Sequence, residues 1–311
     1  MRLATALVAA ALAASLVACS GGSNDGAEQA PAERAGDERP LVLTTFTVIA
    51  DMASNVAGEH LRVESLTKPG TEIHGYEPTP GDLRRAADAA LVLDNGIGLE
   101  AWFAQFMADL DAPHVVVSEG VQHIDITADA YAGMPNPHAW MSPTEAQIYI
   151  DNMARAFGEL APEHAADFAA NAEAYKAELQ QVRDEMLAEL SALPESQRAL
   201  VTCEGAFSYL VRDAGLAEAY IWPVNAENQA TPQQIASVIE FVRDSRVPAV
   251  FCESTVSDAP MQRVVESTDA VFGGTLYVDS LSEPGGPVPS YLELLRHNAR
   301  TILAGLTGET S

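Results

Sequence analysis

Midway along the chain, from about Pro162 to Leu193, Ala, Glu, Leu, Gln and Asp dominate and no proline or glycine interrupts the interior of the run. Apolar residues recur there at helical spacing: Phe168, Ala172, Tyr175, Leu179, Val182, Met186 and Leu190. The spacing predicts one long helix with a single stripe to bury, and the segments on either side of it are alike. Leu41–Phe46, Arg62–Leu66, Ala89–Leu93 and Val115–Val117 precede it as short aliphatic or β-branched runs separated by helical stretches. Ala199–Cys203, Ala249–Cys252 and Val271–Val278 follow it, with helices expected after Thr231-Pro232 and Pro289-Ser290. Such alternation is the signature of βα units around parallel sheets. The expected fold is therefore α/β, with two Rossmann-like βα lobes over residues 40–160 and 195–311, joined by one long rigid helix over 161–194. With 311 residues, 48% of them apolar, the chain can fill two cores of ordinary domain size.

The N-terminus bears on location. Met1-Arg2 leads into an apolar run, Leu3 to Leu16, too short to span a bilayer, which takes roughly 20 residues, but suited to an export signal. The run ends in Leu16-Val17-Ala18-Cys19, which resembles the lipobox of bacterial lipoproteins. On that reading residues 1–18 are a signal peptide and Cys19 becomes the lipidated first residue, anchoring the protein on the periplasmic or extracellular face of a membrane. A plain secretory leader with an incidental cysteine is the alternative. Residues 19–39, rich in Gly, Ser, Ala, Glu and Pro, have almost nothing to bury and read as a flexible tether.

Charge excludes one class of partner. The chain carries 17 Lys+Arg against 44 Asp+Glu, a net charge of −27, so nucleic acid is not an expected ligand. Such a surface concentrates cations without selecting one.

Four residues can select. His74 lies in the loop after the strand ending near Leu66, His138 lies in the loop Met134-Pro135-Asn136-Pro137-His138, and Glu204 and Asp279 directly follow expected strands. In parallel α/β sheets ligands bind beyond the carboxyl ends of the strands. Two imidazoles and two carboxylates form a hard-to-borderline set suited to Mn²⁺ or Fe²⁺ and able to take Zn²⁺. Prolines flank both histidine loops and stiffen them, which favours a preformed site. On spacing alone, each histidine could equally be a surface residue and each acid a helix cap. Glu77 lies close to His74 and Glu253 follows Cys252, so either could accept the second N–H of a ligating imidazole. His60, His114, His123, His164 and His297 have no ligand-like neighbours in sequence and are expected at the surface or on helix faces. Cys203 and Cys252 each close a buried strand in an exported chain, and neighbouring parallel strands would bring them into a disulfide. Two buried free thiols are the other possibility, and metal ligation by either is less suited to this donor set.

The motifs are more specific than the spacing. Pro69-Gly70-Thr71-Glu72-Ile73-His74-Gly75-Tyr76-Glu77-Pro78-Thr79-Pro80, Asn136-Pro137-His138-Ala139-Trp140, Glu204-Gly205-Ala206-Phe207-Ser208-Tyr209 and Tyr277-Val278-Asp279-Ser280-Leu281 resemble the metal-binding solute receptors of ABC importers for manganese, iron and zinc. Ala219 to Asn225 and Gly286 to Leu292 resemble the manganese/iron branch, and the resemblance runs from about Leu41 to the C-terminus. It implies one metal in the interlobe cleft, held by His74 and His138 from one lobe and by Glu204 and Asp279 from the other. It also implies a hinge helix that permits only small movements, a partner permease with its ATPase, and a monomeric receptor that catalyses nothing. Zinc receptors of this kind tend to carry a third histidine where this chain has Glu204, and often a His-rich acidic loop, which is missing here. The resemblance therefore implies a receptor for Mn²⁺, with Fe²⁺ or Zn²⁺ as alternatives. A metal-dependent hydrolase on the same ligands would need a general base, for which Glu77 or Glu253 would have to serve, and no HExxH or paired-metal pattern supports it. Surface adhesion is a further role open to a tethered lipoprotein.

Overall fold

The computed structural model describes residues 37–108, 110–224 and 230–308. The expected leader, Cys19 and the tether up to residue 36 lie outside that range. Arg39–Ser311 forms one compact unit.

Leu41–Thr44 (β1), Arg62–Ser65 (β2), Leu91–Asp94 (β3) and His114–Val116 (β4) pair in parallel in the order β2-β1-β3-β4. Every residue of β1 and β3 is buried, because helices cover both faces of a parallel sheet. Val42 and Phe46 point into the main core, whereas Leu41 and Leu43 point into a smaller cluster with Phe103 and Phe106 on the opposite face. The covering helices of this half are Thr47–Ala57 (α1), Pro80–Ala87 (α2), Phe103–Met107 (α3) and Pro143–Leu160 (α4).

The second half repeats the plan. Ala199–Glu204 (β5) pairs in parallel with Ala217–Trp222 (β6), and Ala249–Glu253 (β7) with Val271–Leu276 (β8). β5 and β7 lie side by side and are tied by a Cys203–Cys252 disulfide with Cα atoms 4.8 Å apart, the spacing of adjacent strands. The spatial order β6-β5-β7-β8 thus matches β2-β1-β3-β4. Ser208–Ala214 (α6), Pro232–Ser245 (α7), Ala259–Ser267 (α8) and Tyr291–Thr307 (α9) complete this half. α7 starts where the sequence placed it because Thr231 and Gln234 form a reciprocal capping box ahead of Pro232.

Three details differ from the sequence reading. β6 is a strand the sequence does not signal: Ala217 is exposed at the sheet edge, Glu218, Ala219 and Tyr220 are half-buried, and only Ile221 and Trp222 are buried. β8 stops at Leu276, so Asp279 stands three residues beyond the strand rather than directly after it. The long helix opens with a 3-10 turn at Pro162–His164, and its α-helical part is Ala165–Ser191 (α5), 27 residues or about 40 Å.

All seven apolar positions of its stripe are buried. α5 packs on α4 and α1 of the first half and on α9 and α6 of the second, and a single hydrophobic cluster runs through both halves. The lobes therefore share a core along this helix. No helix of the described residues is long and apolar enough to cross a membrane.

The disulfide closes a chain segment of 49 residues, which in a chain-entropy model stabilises the fold by about 4 kcal/mol, with engineered cases commonly showing roughly 2–4 kcal/mol. Cys203→Ser combined with Cys252→Ser is expected to lower the urea midpoint accordingly under oxidising conditions. An unchanged midpoint would show that the bond adds nothing to stability.

Candidate metal centre

The four residues singled out in the sequence converge. His138, Glu204 and Asp279 have no solvent exposure and His74 only 8%. His74 Nε2 lies 3.2 Å from His138 Nε2 and 3.1 Å from Glu204 Oε1. His138 Nε2 lies 3.5 Å from Glu204 Oε1 and 3.9 Å from Asp279 Oδ1. Donors bound tetrahedrally at about 2.0–2.2 Å stand about 3.3–3.6 Å from one another, so these separations bracket the edges of a coordination shell.

Each donor arrives by a different route. His74 follows β2 in a loop held by Glu72, whose two oxygens accept from the backbone N–H groups of His74 (2.7 Å) and Gly75 (2.8 Å), while Trp102 Nε1 donates to the Ile73 carbonyl (3.0 Å). His138 caps a short 3-10 turn, Ala139–Met141, that feeds α4. Glu204 is the last residue of β5, at the switch between β6 and β7 in the strand order. Asp279 lies in the segment between β8 and α9.

Asn136 fixes the chemistry of His138. Its Nδ2 donates to the Gly205 carbonyl (2.7 Å) and the Ser208 hydroxyl (3.2 Å), so its Oδ1 must face His138. That oxygen accepts from the His138 backbone N–H (3.0 Å) and stands 3.0 Å from Nδ1. An amide oxygen only accepts, so the ring proton sits on Nδ1 and Nε2 presents a bare lone pair to the carboxylates. Burial, opposed by Glu204 and reinforced by His74, lowers the His138 pKa to about 3 and keeps the ring neutral.

The rest of the site is short of positive charge. Burial pulls the His74 pKa down, but the carboxylates of Glu204 and Asp279 outweigh it and raise it to about 9. Burial and repulsion from Glu204 push Asp279 well above the ordinary carboxylate range. Neither Asp279 oxygen has a hydrogen-bond partner of normal geometry, although the Thr255 hydroxyl is near enough to favour its charged form. Glu253 is raised for the same two reasons, burial first. A lone pair and carboxylate oxygens buried together are what a divalent cation would satisfy.

Neither Glu77 nor Glu253 holds an imidazole. Glu77 is exposed, and Glu253 Oε2 accepts from the Glu204 backbone N–H at 3.1 Å, so it braces the neighbouring acid. Asn136 takes the bracing role, and its signal was its place two residues before His138. Glu72 was likewise legible only as the acid two residues before His74; with His74 and Asp279 it forms a second group of converging donor atoms. Across the lobes Trp140 Nε1 donates to the Val278 carbonyl (3.2 Å) and Tyr209 Oη to the Asn136 carbonyl (2.8 Å). Of the remaining histidines, His297 lies 3.1 Å from the Thr275 carbonyl, and His60 and His164 stack on each other.

Residues 42–305 match the family model described as ZnuA, zinc-uptake complex component A periplasmic. The chain is 47% identical over 280 residues to the iron-binding protein YfeA of Yersinia pestis, covering 90% of this chain and 89% of that one. It is 31% identical over 298 residues to the manganese ABC transporter substrate-binding lipoprotein PsaA of Streptococcus mitis, covering 93% and 94%. Among solved structures, the Mn-bound periplasmic metal-binding protein of Candidatus Liberibacter asiaticus superposes with a TM-score of 0.81 at 34% identity, covering 86% of this chain and all of that one.

Asn136→Ala is expected to weaken metal binding by roughly 10–100-fold, because the Nδ1 proton loses its acceptor and the ring its orientation. Titration calorimetry with Mn²⁺ measures it, and an affinity equal to the parent's would exclude this role for Asn136.

Proposed function

Because the chain belongs to the ZnuA family of metal-binding receptors of ABC importers, which are not enzymes, we propose that it captures Mn²⁺ and delivers it to the importer's permease. In this reading His74, His138, Glu204 and Asp279 are the ligands. The observation that carries it is the donor set: two imidazole nitrogens 3.2 Å apart, with a Glu204 oxygen 3.1 and 3.5 Å from them and an Asp279 oxygen 3.9 Å from that of His138, Glu204 supplying oxygen where a zinc receptor tends to supply a third imidazole. Carboxylates harden the site and allow bidentate coordination, which suits the higher coordination numbers of Mn²⁺. The resemblance to PsaA, named for manganese, and to a neighbour solved with Mn bound supports the same metal.

Iron is the second reading, favoured by the 47% identity to a protein named iron-binding. Fe²⁺ shares the ligand preferences of Mn²⁺, so the two readings use the same residues. The lipid anchor at Cys19 is also part of the proposal, supported by the lipoprotein names of several relatives.

A ligand that binds only the native state raises the unfolding midpoint. Mn²⁺ at 100 times its Kd is expected to raise the midpoint of the metal-stripped protein by roughly 5 °C or more, and Asp279→Ala is expected to abolish the rise. No rise with Mn²⁺ alongside one with Fe²⁺ under anaerobic conditions would move the assignment to iron, and a rise with Zn²⁺ alone would move it to zinc. In the same assay Glu204→His is expected to shift preference toward Zn²⁺; unchanged preference would remove Glu204 from the ligand set.

Cys19→Ala is expected to move the protein from the membrane fraction to the soluble one. Retention in the membrane fraction would sink the anchor.

A further inference from the structure

A second group of donors lies away from the interlobe centre. His60 sits in the turn that enters β2, whereas His74 sits in the loop that leaves it, so the four-residue strand puts about 13 Å between the two turns. His60 Nε2 is 3.0 Å from Asp167 Oδ2, and His164 Nδ1 is 3.9 Å from the same oxygen. The two imidazoles stack with centroids 3.8 Å apart and planes 16° from parallel. Phe168, fully buried, meets both rings edge-on at 5.7 and 6.3 Å and forms an apolar floor beneath them.

Asp167 alone would be an ordinary acid in the first turn of α5, favoured there by the helix dipole, and an ion pair alone would account for its contact with His60. Neither accounts for two imidazoles, from segments about 100 residues apart in the sequence, converging on one carboxylate oxygen. The three donor atoms all lie within 4.8 Å of one another. Ligands on opposite sides of one metal at about 2.1 Å would be about 4.2 Å apart, and adjacent ones nearer 3.0–3.4 Å. Each imidazole lone pair lies in its own ring plane, so closing the set on a cation requires the stacked rings to turn apart, which their partial exposure and the exposed Asp167 leave room for.

Both segments are held. Arg39 Nη1 donates to the carbonyls of Glu59 (3.2 Å) and Leu61 (3.3 Å) on either side of His60, and Asn171 Nδ2 donates to the Val56 carbonyl (3.1 Å), tying the end of α1 to α5. The Arg39 charge opposes a cation here, while the exposed Glu59 and Glu163 favour one.

We propose that His60, His164 and Asp167 form a second, peripheral binding site for a borderline divalent cation of the Zn²⁺ or Cu²⁺ type. Two imidazoles and one carboxylate leave coordination positions open to water, so the ion exchanges readily and needs no movement of the lobes. The bound metal would clip the α1–β2 turn to the start of the linking helix.

Zn²⁺ is the probe. Calorimetric titration of the metal-stripped protein is expected to show two equivalents in the parent and one fewer in both His164→Gln and Asp167→Asn. In an Asp279→Ala background, Cu²⁺ is expected to give an electron paramagnetic resonance spectrum with nitrogen couplings that His164→Gln reduces. Equal Zn²⁺ stoichiometry in the parent and both variants, or Cu²⁺ spectra that His164→Gln leaves unchanged, would overturn the site. Because His164→Gln and Asp167→Asn are each compared with a parent carrying the same interlobe residues, the outcome is independent of whether the interlobe centre holds Mn²⁺.

Discussion

The structure depends on three carboxylates buried close together where its two halves meet. Glu204 and Asp279 have no solvent exposure, Glu253 has only 2%, and the positive charge offered to them is a proton on His74. Taking such charges out of water costs several kcal/mol each unless a cation repays it. A cation held between the two halves, as proposed, would repay that cost, as protonation of Asp279 and Glu253 does in its absence.

Hydrogen bonds beside the ligands extend the closure. Gly70 N–H, in the loop of His74, donates to the Ser280 hydroxyl next to Asp279 at 2.6 Å. Asn136, in the loop of His138, donates to the Gly205 carbonyl next to Glu204. The loops of both candidate histidines thus hydrogen-bond directly to the residue after a candidate acid, and Leu281 N–H to the Thr47 hydroxyl (2.9 Å) adds another bond near Asp279. A hydrogen bond of this kind contributes only about 0.5–1.5 kcal/mol net. A handful of them positions the loops without locking them, and α5, packed on both halves, limits how far they part.

The sequence was most legible where periodicity is strong. The stripe on α5 could be read residue by residue because seven apolar positions in an uninterrupted helix leave no competing pattern. The apolar runs of β1, β5 and β7 were legible because buried parallel strands are apolar on both faces. β6 was not, since an edge strand with exposed Ala217 and half-exposed Glu218 and Tyr220 carries no such signal. His74, His138, Glu204 and Asp279 were found through motifs at strand ends, but their bracing was not. Asn136 acts through an amide whose orientation is set by Gly205, some 69 residues away, and no local pattern encodes that. His60 and His164 were read as isolated for the same reason: their proximity is created by α1 packing on α5.

On the proposed ligand set, selectivity would follow from how many donors the site can present. Two imidazoles give two nitrogens, and two carboxylates can give up to four oxygens, both of Asp279's being free of normal hydrogen bonds. Zn²⁺ is satisfied by four of these six and binds most nitrogen and oxygen sites more tightly than Mn²⁺, so affinity alone works against manganese. A larger ion that needs more oxygens would draw on both carboxylates, and would lose them if the lobes parted. A zinc ion held by His74, His138 and one oxygen from each acid has less to lose on opening. Release would then separate the two metals more sharply than capture, and the carboxylate at 204 is the residue that makes the difference.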